Sequence, residues 1–291
     1  MKQGVLLLAH GAPERLEDVE SYLSFVRGGR PASARIVEEV TSRYQAIGGS
    51  SPLLRWTRVQ AEALERLLGM PVFFGMRNWH PFIRETMDRV RDAGLDRIAA
   101  IALAPQYSEL SVGLYIRRTE EARREAGVAA EIVWARSFHD EPLLIEAFAE
   151  RLKLVAAGRK VLFTAHSVPE KALTGADPYD RETRATAAAV AARLELADWD
   201  FAYQSQGLTD DRWLGPTVES CLDRYAAAGL REVVVCPIGF VCDHVETLYD
   251  VDVVFRGYGA ERGISVVRPE ALNGSGKFTA ALAEVAKRCL A

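Results

Sequence analysis

The chain has 291 residues, 49% of them hydrophobic and 26% charged, enough to bury a substantial core and to fill two domains of ordinary size. A formal net charge of −4 argues against nonspecific binding to nucleic acid or anionic lipid, and the longest apolar runs reach only strand length, so no transmembrane helix is expected. The four cysteines, Cys221, Cys236, Cys242 and Cys289, include no C-x-x-C pair, so neither a zinc ribbon nor an obvious iron–sulfur site is indicated, and no disulfide framework is expected in so large a cytosolic chain.

From Met1-Lys2-Gln3 the chain passes directly into an apolar run without the layout of a signal peptide, so a cytoplasmic enzyme is expected. Residues 4–13 read GVLLLAHGAP, and residues 160–169 read KVLFTAHSVP. Each is an apolar run closing on Ala-His, a small residue and a proline, which reads as a buried parallel strand feeding a turn. His10 and His166 then stand at the carboxyl ends of equivalent strands, where ligands bind in open α/β sheets. Between them, residues 52–68 place Leu53, Trp56, Val59, Ala63, Leu64 and Leu67 at helical spacing, predicting an amphipathic crossover helix.

The echo recurs further on. Gly94-Leu95 precedes a charged, then apolar stretch that reaches Pro105, and Gly229-Leu230 precedes another that reaches Pro237. Residues 181–194 predict a further helix. The pattern predicts an α/β fold of two duplicated Rossmann-like domains, each with a parallel sheet flanked by helices, and a cleft between them. With no low-complexity linker present, the boundary is set near His139-Asp140-Glu141-Pro142, giving domains 1–142 and 143–291.

The sharpest local constellation runs from Cys242 to Asp250. Asp243 and Glu246 have capping-box spacing, so one reading makes Glu246 a helix-start residue that satisfies backbone amides. The other starts from Asp250, four residues after Glu246 on the same helical face, and sees a row of carboxylates at the mouth of a strand. Carboxylate and imidazole together suit ferrous iron and its neighbours, and an incomplete ligand set releases a metal instead of trapping it.

Several separate motifs, in order along nearly the whole chain, resemble the ferrochelatases, which insert Fe2+ into a porphyrin to make haem. They are Arg43-Tyr44, residues 46–52 (AIGGSSP), residues 104–108 (APQYS), residues 165–170 (AHSVPE), Asp177-Pro178-Tyr179, Trp213-Leu214-Gly215-Pro216 and residues 243–249 (DHVETLY). The resemblance implies a chelatase fold with four-stranded parallel sheets, porphyrin and ferrous iron as substrates, and haem biosynthesis as the setting. It makes His166 the catalytic histidine and Glu246 its essential partner, both also candidate metal ligands, with Asp250 as a further candidate.

Metallation removes two pyrrole protons, bends the macrocycle and strips water from Fe2+. An imidazole of ordinary pKa, about 6.5, suits a base near neutrality, and its neutral form suits metal ligation; sequence leaves both roles open for His166. Glu246 stabilises the imidazolium, accepts a proton or holds iron. Porphyrin contacts implied by the resemblance are His10, Arg27, Arg30, Arg43, Ser51, Arg77, Tyr115 and Trp213, the arginine forks matching propionate carboxylates. Tyr107 is a second aromatic with ring-flanking or core-packing readings.

Three departures from the family pattern matter. Val254 stands where relatives continue the acidic row with a glutamate, so a weaker or absent outer metal site is expected. His10 stands where several bacterial relatives have tyrosine, and it either ligates product iron axially or only hydrogen-bonds. Asn78 replaces a histidine of some relatives, removing any metal role there.

The short form without a cysteine-rich extension implies no [2Fe-2S] cluster, no tightly bound cofactor and a monomer. Coproporphyrin III is favoured over protoporphyrin IX. Two rival classes are a sirohydrochlorin chelatase loading cobalt or iron, and a non-catalytic porphyrin, haem or iron carrier. A nucleotide cofactor is rejected, because neither G-x-G-x-x-G nor a P-loop follows the strands.

Overall fold

Unbroken apolar runs become the central strands. In the computed structural model, which describes residues 1–173, 176–207 and 211–291, β1 (Gln3–Ala9) and β5 (Lys160–His166) are buried from their second residue on, except for His166. Strands covered on both faces carry no polar alternation, which is why these segments read as continuous Val, Leu and Phe.

Around β1 lie β2 (Val72–Met76), β3 (Arg97–Ala102) and β4 (Glu131–Ala135), in the order β2-β1-β3-β4, all parallel. Around β5 lie β6 (Trp199–Gln204), β7 (Glu232–Pro237) and β8 (Ser265–Val267), in the order β6-β5-β7-β8, again all parallel. The two sheets thus repeat one topology, as the echoed sequence predicts. His10 directly follows β1 and His166 ends β5, so the two histidines occupy matching places.

Helices α1 (Val19–Val26), α2 (Ala34–Ala46), α3 (Leu53–Leu68), α4 (Ile83–Ala93) and α5 (Val112–Ala126) belong with the first sheet. Helices α6 (Pro142–Ala156), α7 (Tyr179–Arg193), α8 (Val218–Ala227), α9 (Val245–Leu248) and α10 (Arg256–Glu261) belong with the second. The expected helices over 52–68 and 181–194 are α3 and α7. Gly94 ends α4 in the left-handed conformation, at φ 59°, as a Gly-Leu helix terminus should.

The chain forms two compact units. One comprises Met1–Ala104, Ser111–Phe138 and Asn273–Ala291, the other Pro105–Leu110 and His139–Leu272. The last helix, α11 (Gly276–Leu290), packs on α3, β3 and β4 of the first unit. Its Leu290 carbonyl accepts from Gln3 Nε2 (3.2 Å) and Arg97 Nη1 (3.1 Å). Phe278, Leu282 and Val285 of α11 are buried.

Candidate active site

The second sheet places its site by ending two neighbouring strands together. β5 stops at His166, paired in register with Gln204, the last residue of β6. Parallel strands put both residues at the sheet's carboxyl edge. The turn after His166 is pinned on all sides: Ser167 N donates to the Gln204 carbonyl (2.7 Å), and Ser167 Oγ donates to the Leu214 carbonyl (2.8 Å). The buried Tyr179 hydroxyl donates to the His166 carbonyl (2.8 Å).

The imidazole is oriented by its own turn. Nδ1 donates to the Ser167 carbonyl, which leaves Nε2 facing Glu246 Oε1 at 3.5 Å. Both side chains are 35% exposed, so the pair is held by protein yet reachable from solvent.

Glu246 is carried by α9, a single turn. The capping-box reading does not hold: His244 is the N-cap, its backbone N donating to Thr247 Oγ1 (2.9 Å), while Asp243 turns away to Arg268 (2.8 Å). Gln204 fixes the turn from below. Its Nε2 donates to the Glu246 carbonyl (2.8 Å), and its Oε1 accepts from the buried Thr164 hydroxyl (2.6 Å).

Asp250 opens a π-helical stretch, Asp250–Phe255, in which Val253 N and Val254 N both donate to the Tyr249 carbonyl at 3.0 Å. The regular helical face expected to align Glu246 with Asp250 is therefore interrupted at Tyr249. Asp250 is nevertheless close enough for its charge to act on His166, and it accepts from Ser205 Oγ, whose backbone sits at φ +60°. Among the described residues no three His, Cys, Asp or Glu side chains converge as an ion-holding cluster. Val254 packs with the apolar core beside Val251 and Phe255, so the acidic row stops at Asp250.

The electrostatics favour charge on this imidazole. Burial opposes charge on His166, but the carboxylate of Glu246, its hydrogen bond, the Ser167 carbonyl and the charge of Asp250 outweigh it and raise the pKa to about 9. At neutral pH His166 is therefore an imidazolium, not the half-titrated base that an unperturbed ring supplies. His244 shifts the other way, because burial dominates and disfavours its charge. Burial also raises the Tyr179 phenol, keeping it a donor.

In the first unit the structure gathers His10, Arg77 and Tyr115. Arg77 Nη2 donates to His10 Nδ1 (3.0 Å), and the guanidinium lies 4.9 Å from the Tyr115 ring centre. Asn78 Nδ2 lies 3.1 Å from His10 Nε2, so the side chains of Arg77 and Asn78 face the two ring nitrogens. With both ring nitrogens engaged, His10 has to surrender a partner before it ligates iron. Gly11 makes this turn possible: its φ is +86°, and a Cβ there would lie 2.7 Å from Trp79 N.

Arg27 is the exposed C-cap of α1, and Arg30 Nε donates to its carbonyl (3.2 Å). Arg43 pairs with Glu39 on α2 (2.5 Å), and buried Ser51 accepts from Leu53 N (3.3 Å) at the start of α3. In the second unit Trp213 bridges to Pro169 and packs against Gly207, where a Cβ would come within 2.7 Å of the indole. Tyr107 is buried, its N–H donating to Glu182 (2.7 Å) and its hydroxyl to Glu109. Gln204, Ser205 and Arg268 were not singled out from sequence. The local sign of the first two is a polar Gln-Ser pair where the apolar part of β6 ends, and Arg268 gives none.

A model of the ferrochelatase family matches residues 2–290. A ferrochelatase of Acidobacterium capsulatum is 42% identical, over 98% of this chain and 94% of its own length. A coproporphyrin III ferrochelatase of Halalkalibacterium halodurans is 34% identical, over 100% of this chain and 98% of its own. Among solved structures, SirB from Bacillus subtilis with Fe3+ superposes with a TM-score of 0.62 at 11% identity, over 100% of this chain and 96% of that one. That identity supports a shared fold alone.

Proposed function

Because this chain belongs to the ferrochelatase family, we propose that its iron-insertion chemistry is carried by the His166–Glu246 pair at the carboxyl edge of the second sheet. The protein is a metal-chelatase lyase that inserts ferrous iron into a porphyrin in haem biosynthesis. The observation that supports the residue assignment is His166 Nε2 facing Glu246 Oε1 at 3.5 Å, with Nδ1 tied to the Ser167 carbonyl.

Proton bookkeeping defines the roles. Insertion releases two pyrrole protons for each Fe2+ taken up. In its resting form the pair holds one proton on His166, and Glu246 is the remaining acceptor. The pair takes both protons only after discharging the one it holds. An arriving Fe2+ competes for the same Nε2 lone pair and repels the imidazolium, so metal approach drives that discharge to solvent. Nδ1, held as a donor, stays out of the exchange. Asp250, steadied by Ser205, adds negative charge that favours the cation's approach without completing a closed ligand set.

The substrate proposed is coproporphyrin III. Supporting it are relatives of that name at 33–36% identity over at least 94% of this chain, and the cationic and polar residues of the first unit, Arg27, Arg30, Arg43, Arg77, Ser51 and Tyr115, as partners for propionates. His10, in this proposal, lines the porphyrin site while held by Arg77 and Asn78, and Trp213 supplies an apolar face. The protein is further proposed to act as a cytoplasmic monomer without a resident iron–sulfur cluster. Cys221, Cys236 and Cys242 are buried, and among the described residues no helix is long and apolar enough to cross a membrane.

An anaerobic Fe2+-insertion assay with coproporphyrin III and protoporphyrin IX in parallel tests the substrate choice. A higher kcat/KM for coproporphyrin III is expected. A higher value for protoporphyrin IX overturns that choice and leaves the chemistry of the pair standing.

A further inference from the structure

Arg268 stands immediately after β8, outside the segment that carries Glu246 and Asp250, with its side chain only 10% exposed. Its guanidinium grips two carboxylates at once. Nη1 donates to Asp243 Oδ1 (2.8 Å), while Nε (3.1 Å to Oδ1) and Nη2 (2.7 Å to Oδ2) form a fork on Asp252. Asp252 also meets Arg256 at 3.1 Å.

The two carboxylates bracket the acidic part of the site. Asp243 lies three residues before Glu246, and Asp252 lies two residues after Asp250. Between them the backbone is a single four-residue helical turn that passes into a π-helical stretch. So short a helix has little stability of its own, and a π register gives up regular α-helical bonding. Something other than helix propensity must therefore set where Glu246 sits. Gln204 holds the turn through the Glu246 carbonyl, and Arg268 holds one residue on either side of it, Asp243 and Asp252.

We propose that Arg268 is a positioning residue for metallation, clamping the segment 243–252 so that Glu246 stays in register with His166. Arginine is required for this because a planar fork engages two carboxylates in fixed directions, whereas a lysine ammonium is a point charge without that geometry. The clamp acts through Glu246 and rests on the assignment of the His166–Glu246 pair.

The test is a cycle of Arg268→Met, Arg268→Lys, Glu246→Gln and the double variant Arg268→Met/Glu246→Gln in the full chain. Each is assayed anaerobically for kcat, KM for Fe2+ and KM for porphyrin, with thermal unfolding alongside. Arg268→Met is expected to lower kcat/KM for Fe2+ by about 10- to 100-fold, the usual range for outer-shell partners of a metal site, with porphyrin KM within about twofold of wild type. Arg268→Lys falls between the two. In the double variant the Arg268 change adds no further loss, because its target is already gone. If Arg268→Met fails to fold, Asp243→Asn, which opens one arm of the clamp while keeping an acceptor, is expected to show a smaller loss of the same kind. Unchanged kinetics in the folded variants, or a full additional loss in the double variant, overturns the clamp. Wild-type kinetics in Glu246→Gln alone instead overturns the assignment of the pair, and is distinguishable from failure of the clamp.

Discussion

His166 is a donor at both nitrogens in the resting protein, and that state follows from its neighbours. The Ser167 carbonyl claims Nδ1, and Glu246 holds a proton on Nε2. The position of the histidine was readable from an apolar strand that stops on it, but its charge was not. Charge depends on Glu246 and Asp250, some eighty residues later, being folded back beside it. A measurable consequence is a pH-dependent stability term. The folded pKa, about 9, lies above the ordinary value, so the stabilisation is fully present below about pH 6.5 and is lost as pH rises through 9. Urea denaturation between pH 6 and 10 is expected to show wild-type stability falling over that window. Glu246→Gln should flatten the fall, and an equally steep fall in that variant would remove Glu246 as its cause. His10 shows the same limit of sequence. Its place was legible, whereas the Arg77 and Asn78 bonds that occupy its ring became visible only in three dimensions.

At the level of elements, strands and crossover helices were the legible part, because buried parallel strands write themselves as apolar runs and α3 and α7 keep helical spacing. The segment 243–252 was the illegible part. Capping-box spacing pointed to Asp243 and Glu246, yet the N-cap is His244, and the spacing of four from Glu246 to Asp250 crosses into a π register. Short elements held by distant side chains carry little local signal, and Arg268 and Gln204 lie outside the window in which periodicity operates. The turn after β1 is a different case, where one residue type is dictated by space. Gly11→Ala meets both a positive φ and the Trp79 backbone at 2.7 Å, so it should destabilise the chain by more than about 1 kcal/mol. Thermal unfolding checks this, and an unchanged midpoint would show that the turn re-forms without strain.

Across the whole molecule, one strand order occurs twice with a histidine at the same place in each copy, but the two histidines have diverged. His10 is bonded to a cation and an amide; His166 faces a carboxylate and is charged. Duplication was apparent from the echoed motifs. The return of α11 to the first sheet was not, since an amphipathic terminal helix does not state which sheet it covers. The division of labour between the copies is the account's central claim. The most direct measurement of it compares anaerobic Fe2+ insertion and porphyrin affinity in His166→Ala and His10→Ala. The account predicts that His166→Ala loses turnover by about 10²- to 10⁴-fold with porphyrin affinity nearly intact, while His10→Ala keeps turnover within about tenfold. Wild-type turnover in His166→Ala, or an equal loss in both variants, would contradict it.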